Sequence, residues 1–488
     1  MRLSAAEVIV KGLSEDGGLF VPETFPGIDG RDLPGLAEKQ YCYRASDITG
    51  MFLDGFSTQE LDRYTAEAYA FPGFDDPAVA PLRKLDAETF FLELWHGPTC
   101  AFKDMALALL PRLLTASLGK LNEKREVCVL TATSGDTGKA ALEGFRDVPG
   151  TRIMVFYPRD GVSDVQKLQM TTQSGGNISV IAVEGNFDDT QTGVKALFSD
   201  LELRRELDRG GFFLSSANSI NWGRLVPQIA YYASAYCDLL SEGVIKNGDK
   251  INFCVPTGNF GNILAAYYAG KIGIPVNKLI CASNRNDVLT QFIDTGVYNR
   301  NRPFHSTISP SMDILVSSNL ERLLFELSGK DGNAVAGYMS ALERDGRYEV
   351  SESVRTEIKK LFACGVCSEE DTKKTVARTF KESNYLIDTH TAVGYKVLED
   401  YRAASGDTTP SVVVSTASPF KFCENIIDAL GGNSIGGDGS ALLDKLSAMT
   451  GYPVPAPLAS LREKAQRFYG SVTPPGMKDA LKQFLSGS

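Results

Sequence analysis

Histidine is scarce in this sequence of 488 residues: only His96, His305 and His390 occur. With so few, and with neither HExxH nor GxSxG present, zinc peptidase and serine hydrolase chemistry are disfavoured. Basic charge is short as well. Fifty Lys and Arg face sixty Asp and Glu, a net charge of −10, so no positive field exists to hold nucleic acid or an acidic membrane. No apolar run approaches the roughly 18 residues a membrane helix needs. The opening "MRLSAAEVIVKGLSEDGG" carries acids where a secretory signal has a basic segment and an apolar stretch, so none is expected. The nine cysteines are scattered, several in apolar strand-like runs, which fits buried thiols in a reducing compartment and predicts a cytoplasmic protein. Cys364 and Cys367 in "ACGVCSEED" have the spacing of a metal or redox site but lack a second pair or a neighbouring histidine. They read as a plain loop with two free thiols, and no metal is expected.

What is present is a large apolar inventory, 43% of residues, enough for a sizeable core and two or three structural units. "TFFLELW" (89–95), "VCVLTAT" (127–133), "TRIMVFYP" (151–158), "ISVIAVEG" (178–185), "FFLSSAN" (212–218), "KINFCVPTG" (250–258), "KLICASN" (278–284) and "SVVVSTAS" (411–418) read as buried strands. Helix-like stretches such as "KAALEGFR" and "NILAAYYAGKIG" separate most of them. That alternation predicts an α/β protein with two parallel-sheet halves, covered on both faces, and a cleft between them. The expected boundaries are a separate, mostly helical N-terminal unit over 1–88, a first α/β unit over 89–245, a second over 246–435 with an inserted helical segment near 297–380, and a helical extension over 436–488.

Three loops each follow an expected strand and open an expected helix, where unsatisfied N–H groups and the helix dipole attract anions. They are "HGPTCAFKD" (96–104), "TATSGDTGKAAL" (131–142) and "VPTGNFGNILAA" (255–266). In the last, Gly258 and Gly261 permit close backbone approach and Asn259 and Asn262 add donors, a phosphate cradle without the Walker GK[ST]. A glycine-rich turn can equally serve tight packing alone. Two such loops beside one lysine suit pyridoxal phosphate, which needs an amine, a phosphate nest and a partner for its ring nitrogen.

The motifs "HGPTCAFKD", "TATSGDTG", "SANSINWGRL", "VPTGNFGNILAA", "SPSMDI", "DTHTAVGYKVL" and "STASPFKF", with the opening "SEDGGLFVPETFP", occur in the order of the threonine synthases. From residue 14 to about 430 the chain resembles that family, in its longer, yeast and enterobacterial branch. The resemblance implies a fold type II, tryptophan synthase β-like enzyme that uses pyridoxal 5′-phosphate to convert O-phospho-L-homoserine and water to L-threonine and phosphate. It implies Lys103 as the Schiff-base lysine, and Gly258, Asn259, Phe260, Gly261 and Asn262 as the loop on the cofactor phosphate. It also implies Asp136 beside the cofactor's 3′-oxygen and Thr416 as the hydroxyl partner of the pyridine nitrogen. Ser134, Thr137, Asn218, Ser219 and Arg224 are left for the substrate phosphate, Arg224 supplying a planar cation suited to it.

Other readings stand beside these. A β-replacing synthase, dehydratase or phospholyase of the same cofactor class differs chiefly in whether Arg224 meets a phosphate, and a non-catalytic cofactor-binding homologue would keep the fold without turnover. His96 reads as a loop histidine bonded to backbone, with a cofactor or substrate contact as the alternative; Thr416 by default satisfies backbone at a strand end. Trp95 and Phe102 read as core. The expected partner is a small-molecule substrate, with no nucleic acid and no membrane, and the chain as a monomer or homodimer.

Overall fold

The computed structural model describes residues 2–133, 135–159, 162–434 and 439–487, with no statement made for the side chains of residues 187 and 188. All eight expected strands are present, in two sheets. One has five strands, all parallel, in the spatial order Ser471–Val472, Ile178–Val183, Thr151–Pro158, Glu126–Ala132, Phe212–Ser216. The other has six, in the order Leu82–Lys84, Thr89–Glu93, Ser411–Ser415, Ile251–Pro256, Val276–Ser283, Phe362–Val366, and is parallel except at its first edge.

Continuous apolar runs make these strands because both faces are buried. In the five-stranded sheet Val127, Val129, Ile153 and Val155 face a core shared with Ala140, Ala141 and Phe145 of the helix Asp136–Phe145. Their alternates Cys128, Leu130, Met154 and Phe156 face a second core with Val194, Leu203 and Leu481. Successive side chains point to opposite faces, so one strand serves two cores. The six-stranded sheet repeats the arrangement. Phe253 and Val255 join the large core with the helix Trp222–Ser241, while Cys254 and Val413 pack with Val393 and Val397 of the helix Thr389–Ser405.

Several expectations change. The strand Thr89–Glu93, grouped above with the 89–245 half, pairs with Ser411–Ser415 in the other sheet, because a buried strand needs two hydrogen-bonded neighbours and sequence proximity does not choose them. The N-terminal segment is helical, over Ala5–Lys11, Leu33–Ala37, Tyr41–Gly50 and Thr58–Ala68. It has no core of its own: Ile9, Tyr41, Ala45 and Leu61 belong to the large core, and the Arg44 guanidinium bonds Asp238 at 2.5 Å. The 436–488 stretch contributes helices but also adds Ser471–Val472 to a sheet edge. Phe362–Val366, which takes in Cys364 but stops before Cys367, is an edge strand rather than a loop, with Cys364 opposite Cys281. Cys364 and Cys367 are nonetheless free thiols, and burial pushes the Cys367 thiol up to about 11. Among the described residues no helix is long and apolar enough to cross a membrane.

Candidate active site

Lys103 is set by a loop that both sheet neighbours hold. The Thr99 N–H and hydroxyl donate to the Asp104 carboxylate at 2.8 and 2.7 Å, closing the turn. Gly97 is obligatory, since a Cβ there would stand 2.5 Å from the Asp104 side chain. Downstream, the Phe102 N–H donates to the Thr416 carbonyl at 2.8 Å and the Ser418 N–H to the Cys100 carbonyl at 3.1 Å. Thr416 is thereby zipped beside the lysine loop and is buried.

Lys103 is 8% exposed. Its amine lies 3.7 Å from Asp136 Oδ2, 3.5 Å from Ser311 Oγ and 4.7 Å from the Phe102 ring centre. Burial draws its pKa down to about 8; Asp136 opposes this, and the cations Arg224 and Lys421 add to it. Asp136 opens the helix that follows the Thr133 turn, in which the Thr133 hydroxyl accepts from the N–H groups of Gly135 and Gly138 at 2.9 Å each. Burial alone would raise the Asp136 carboxyl. Lys421 and Lys103, with a 2.7 Å bond from Gln166 Nε2, hold it well below the usual carboxylate range.

The second loop joins the strand Ile251–Pro256 to the helix Gly261–Lys271. Phe260 caps that helix in the left-handed region, φ 64°, a conformation costly for a bulky side chain and sustained here by its burial. At Gly258 a Cβ would stand 2.6 Å from the Ser311 carbonyl. Asn319 Nδ2 ties the Asn259 carbonyl (3.0 Å) to the Ser219 hydroxyl (2.9 Å), so the glycine loop and the "SANS" loop move as one. Asn262 accepts at Oδ1 from the Tyr231 and Tyr232 hydroxyls at 2.5 and 2.6 Å, and its buried Nδ2 has no hydrogen-bond partner among the described residues.

Arg224 is the third residue of the helix Trp222–Ser241, capped by the Asn221 side chain. It is buried, and its Nη1 donates to the Ala217 carbonyl at 2.5 Å. Nη2 reaches Thr137 Oγ1 at 3.5 Å, and Nε finds no partner among the described residues. Burial lowers its pKa to about 10. The neighbouring Asn218 Oδ1 is also buried and unpartnered among those residues. Orphaned buried groups of this sort are costly unless a ligand completes them.

The structure therefore brings Lys103 together with Asp136 and Thr416, Arg224 with Thr137, and Ser219 with the glycine loop. Ser134 lies outside the described residues. His96 departs from expectation. Its ring nitrogens meet Asp75 Oδ1 at 2.7 Å and Glu93 Oε2 at 2.9 Å, not backbone, and although burial works against the charged ring these two bonds raise its pKa. Trp95 stacks on it, centres 4.2 Å apart, and donates to Ser415 Oγ, so it braces the strand end. Sequence reasoning did not place Gln166, Ser311 or Asn319 in the site, and it offered Lys421 only as the next candidate for the substrate phosphate after Arg224, whereas Lys421 is spent on Asp136 and the Thr99 carbonyl. "SPSMDI" and "SPFKF" were the available signals for two of them, each holding a polar residue inside an apolar turn.

Comparisons bear on the arrangement. A family model described as pyridoxal-phosphate dependent enzyme matches residues 76–344. Those described as threonine synthase N terminus and threonine synthase, C-terminal match 1–69 and 391–479. The threonine synthase of Pseudomonas aeruginosa is 42% identical over 425 residues, 87% of each chain. The chain belongs to the threonine synthase family. A crystal structure of the pyridoxal-phosphate-bound threonine synthase from Brucella melitensis superposes with a TM-score of 0.86 at 36% identity, covering 99% of this chain and 97% of that one. The yeast threonine synthase structure gives 0.88 at 32% identity over 100% and 97%. The fold is thus that of the fold type II threonine synthases. The family's pyridoxal phosphate suits the residues present: an amine whose pKa burial draws down to about 8, a loop that opens the helix Gly261–Lys271, and an amide donor at Asn262 with no partner among the described residues.

Proposed function

We propose that this chain makes L-threonine and phosphate from O-phospho-L-homoserine and water, as a pyridoxal-phosphate-dependent lyase. The observation that carries the reading is Arg224: a buried guanidinium whose Nε and charge find no hydrogen-bond or acidic partner among the described residues, near enough to Lys103 for its charge to help loosen that amine's proton. A buried cation without a counter-ion is a seat for an anion that comes and goes.

In this reading Gly258, Asn259, Phe260, Gly261 and Asn262 hold the cofactor phosphate at a helix N-terminus. Asp136 lies beside the cofactor, Thr416 serves the ring nitrogen, and Lys103 is the anchoring amine. A neutral threonine hydroxyl cannot hold that nitrogen protonated by charge as a carboxylate would. Pyridoxal phosphate, when bound, supplies the electron sink that makes protons on the substrate's Cα and Cβ acidic. Lys103, its pKa drawn down to about 8, would take the Cα proton; a second proton leaves Cβ as phosphate departs from Cγ, one is returned at Cγ, and after water has added its hydroxyl at Cβ one is returned at Cα, the remaining proton going to the released phosphate. Arg224, Thr137, Asn218 and Ser219, with Ser134, bind the substrate's phosphate and steady it as it leaves Cγ, before water adds at Cβ. Cytoplasmic residence is part of the same reading, supported by nine unpaired cysteines; a monomer or homodimer is expected, and light scattering decides between them.

The purified protein, given O-phospho-L-homoserine, is expected to release threonine and phosphate in equal amounts. Borohydride is expected to fix the cofactor on Lys103, read by peptide mapping. Phosphate release with a different organic product would replace the reading by a phospholyase, and cofactor binding without turnover by a non-catalytic homologue.

A further inference from the structure

Asp136 serves two amines. Its Oδ1 takes the Lys421 ammonium at 2.9 Å and Gln166 Nε2 at 2.7 Å, and its Oδ2 faces Lys103 at 3.7 Å. Lys421 is wholly enclosed, 0% exposed, in the turn Pro419–Phe422 that follows Thr416. Its second contact is the Thr99 carbonyl at 2.8 Å, in the loop that leads into Lys103. The two lysines are not equivalent. Lys421 has a carboxylate and a carbonyl at full hydrogen-bond distance, while Lys103 has Asp136 at 3.7 Å and a hydroxyl at 3.5 Å.

One buried carboxylate cannot balance two ammonium ions and the nearby Arg224 guanidinium. Where charge must be given up, it leaves the group that is least well hydrogen-bonded. We propose that Lys421 is a positioning residue for the reaction, the fixed counter-cation of Asp136, whose occupation of Oδ1 frees Lys103 to lose its proton and at the same time pins the Thr99–Lys103 loop. The proposal rests on Lys103 being the anchoring amine, as set out above. Among the described residues, the charged groups acting on Lys103 are Asp136 from the helix Asp136–Phe145, Arg224 from the helix Trp222–Ser241, and Lys421 from the turn Pro419–Phe422; the hydroxyl of Ser311 and the ring of Phe102 lie beside it. Removing Lys421 takes away a repelling cation and leaves Asp136 with Lys103 alone, and both changes hold the proton on Lys103 more firmly.

The test uses the full chain, stripped of cofactor with hydroxylamine and mixed with pyridoxal 5′-phosphate, the capture rate being followed by absorbance across pH 6.5 to 9.5. The parent's rate is expected to rise with pH and level off above about 8, the value burial imposes on Lys103. In Lys421→Met the midpoint is expected to move up by about one unit or more, so that capture at pH 7.5 falls roughly tenfold and recovers in alkali. Lys421→Arg keeps the charge and should stay near the parent midpoint. Adding Asp136→Asn to Lys421→Met removes both charges and should bring the midpoint back down. A Lys421→Met protein with lowered thermal stability but an unmoved midpoint would make Lys421 a structural residue and overturn the proposal. Should Lys421→Met not fold, Lys421→Gln takes its place: a raised midpoint supports the proposal, and an unmoved or lowered one overturns it. A parent that captures cofactor with this profile yet makes no threonine would overturn the proposed function while leaving this inference standing.

Discussion

Arg224 and Arg322 are the same residue type in two regions of one molecule, at 5% and 1% exposure, and burial draws both guanidinium groups down to about 10. Their hydrogen bonds differ. Arg322 spends every nitrogen on the protein: Nε on the Phe20 carbonyl at 2.9 Å, Nη1 on Asn319 Oδ1 at 2.6 Å and the Ser219 carbonyl at 3.3 Å, Nη2 on the Ile220 carbonyl at 2.8 Å. Those bonds tie the N-terminal segment to the "SANS" loop, so this arginine is mortar. Arg224 has one short bond, one long one and a bare Nε. Equal desolvation with unequal satisfaction separates a guanidinium that finishes the fold from one that awaits a ligand.

The sharpest way to break that contrast is Arg224→Ala. Two charge-assisted bonds to phosphate at about 1.5–3 kcal/mol each would cost roughly 3–6 kcal/mol, or about 10²- to 10⁴-fold in kcat/KM for phosphohomoserine. The cofactor's visible band should be kept, and Arg224→Lys should recover only part, because a point charge lacks the fork. Steady-state kinetics on the three proteins checks it, and parent-like turnover by Arg224→Ala would put the substrate phosphate elsewhere.

Arg322→Met should act on the other side of the comparison. Stranding several buried carbonyls at about 1–3 kcal/mol each, with some relief from entering water, predicts a loss near 3 kcal/mol in urea unfolding. Its kcat/KM per folded molecule should fall less than that of Arg224→Ala. If Arg224→Ala proved equally destabilising, the distinction between the two sites would fail.

Inorganic phosphate offers a test that reads anion binding without turnover. An anion seat at Arg224 predicts that phosphate stabilises the parent against heat, by about 2.7 kcal/mol at a hundred times its Kd, and leaves Arg224→Ala unmoved. Equal stabilisation of both would place the anion at another site, the glycine loop among them. The smallest effect belongs to Thr137, whose hydroxyl is 3.5 Å from Arg224 Nη2. Thr137→Val should raise KM by the worth of one hydrogen bond, about 1 kcal/mol, with kcat nearly kept.

The strands were legible because parallel strands buried on both faces are written as continuous apolar runs, and all eight runs form them. Sheet membership was not legible: Thr89–Glu93 and Glu126–Ala132 are adjacent strands in the chain yet lie in different sheets. The Cys364 strand was hidden because an edge strand of five residues with three half-buried positions, one of them a glycine, carries little periodicity. His96 looked like a loop residue since its partners, Asp75 and Glu93, reach it from a loop and a strand end and leave no motif. Lys103, Arg224 and the glycine loop could be read through their motifs, whereas Lys421 could be named only as a reserve partner for the substrate phosphate, its observed partners lying 285 and 322 positions away.

By itself the sequence determined the α/β class, the two kinds of strand-to-helix loop and the residue types a phosphate-bearing cofactor needs, because these follow from local periodicity, glycine placement and helix ends, all short-range in the chain. Only the tertiary structure decided which cations are paired. That Asp136 neutralises Lys421 at 2.9 Å, stands off from Lys103 at 3.7 Å and leaves Arg224 with no acid among the described residues is a matter of ångströms across three separate elements. In a buried site those ångströms settle which group keeps its charge, since the low local dielectric leaves no water to even them out.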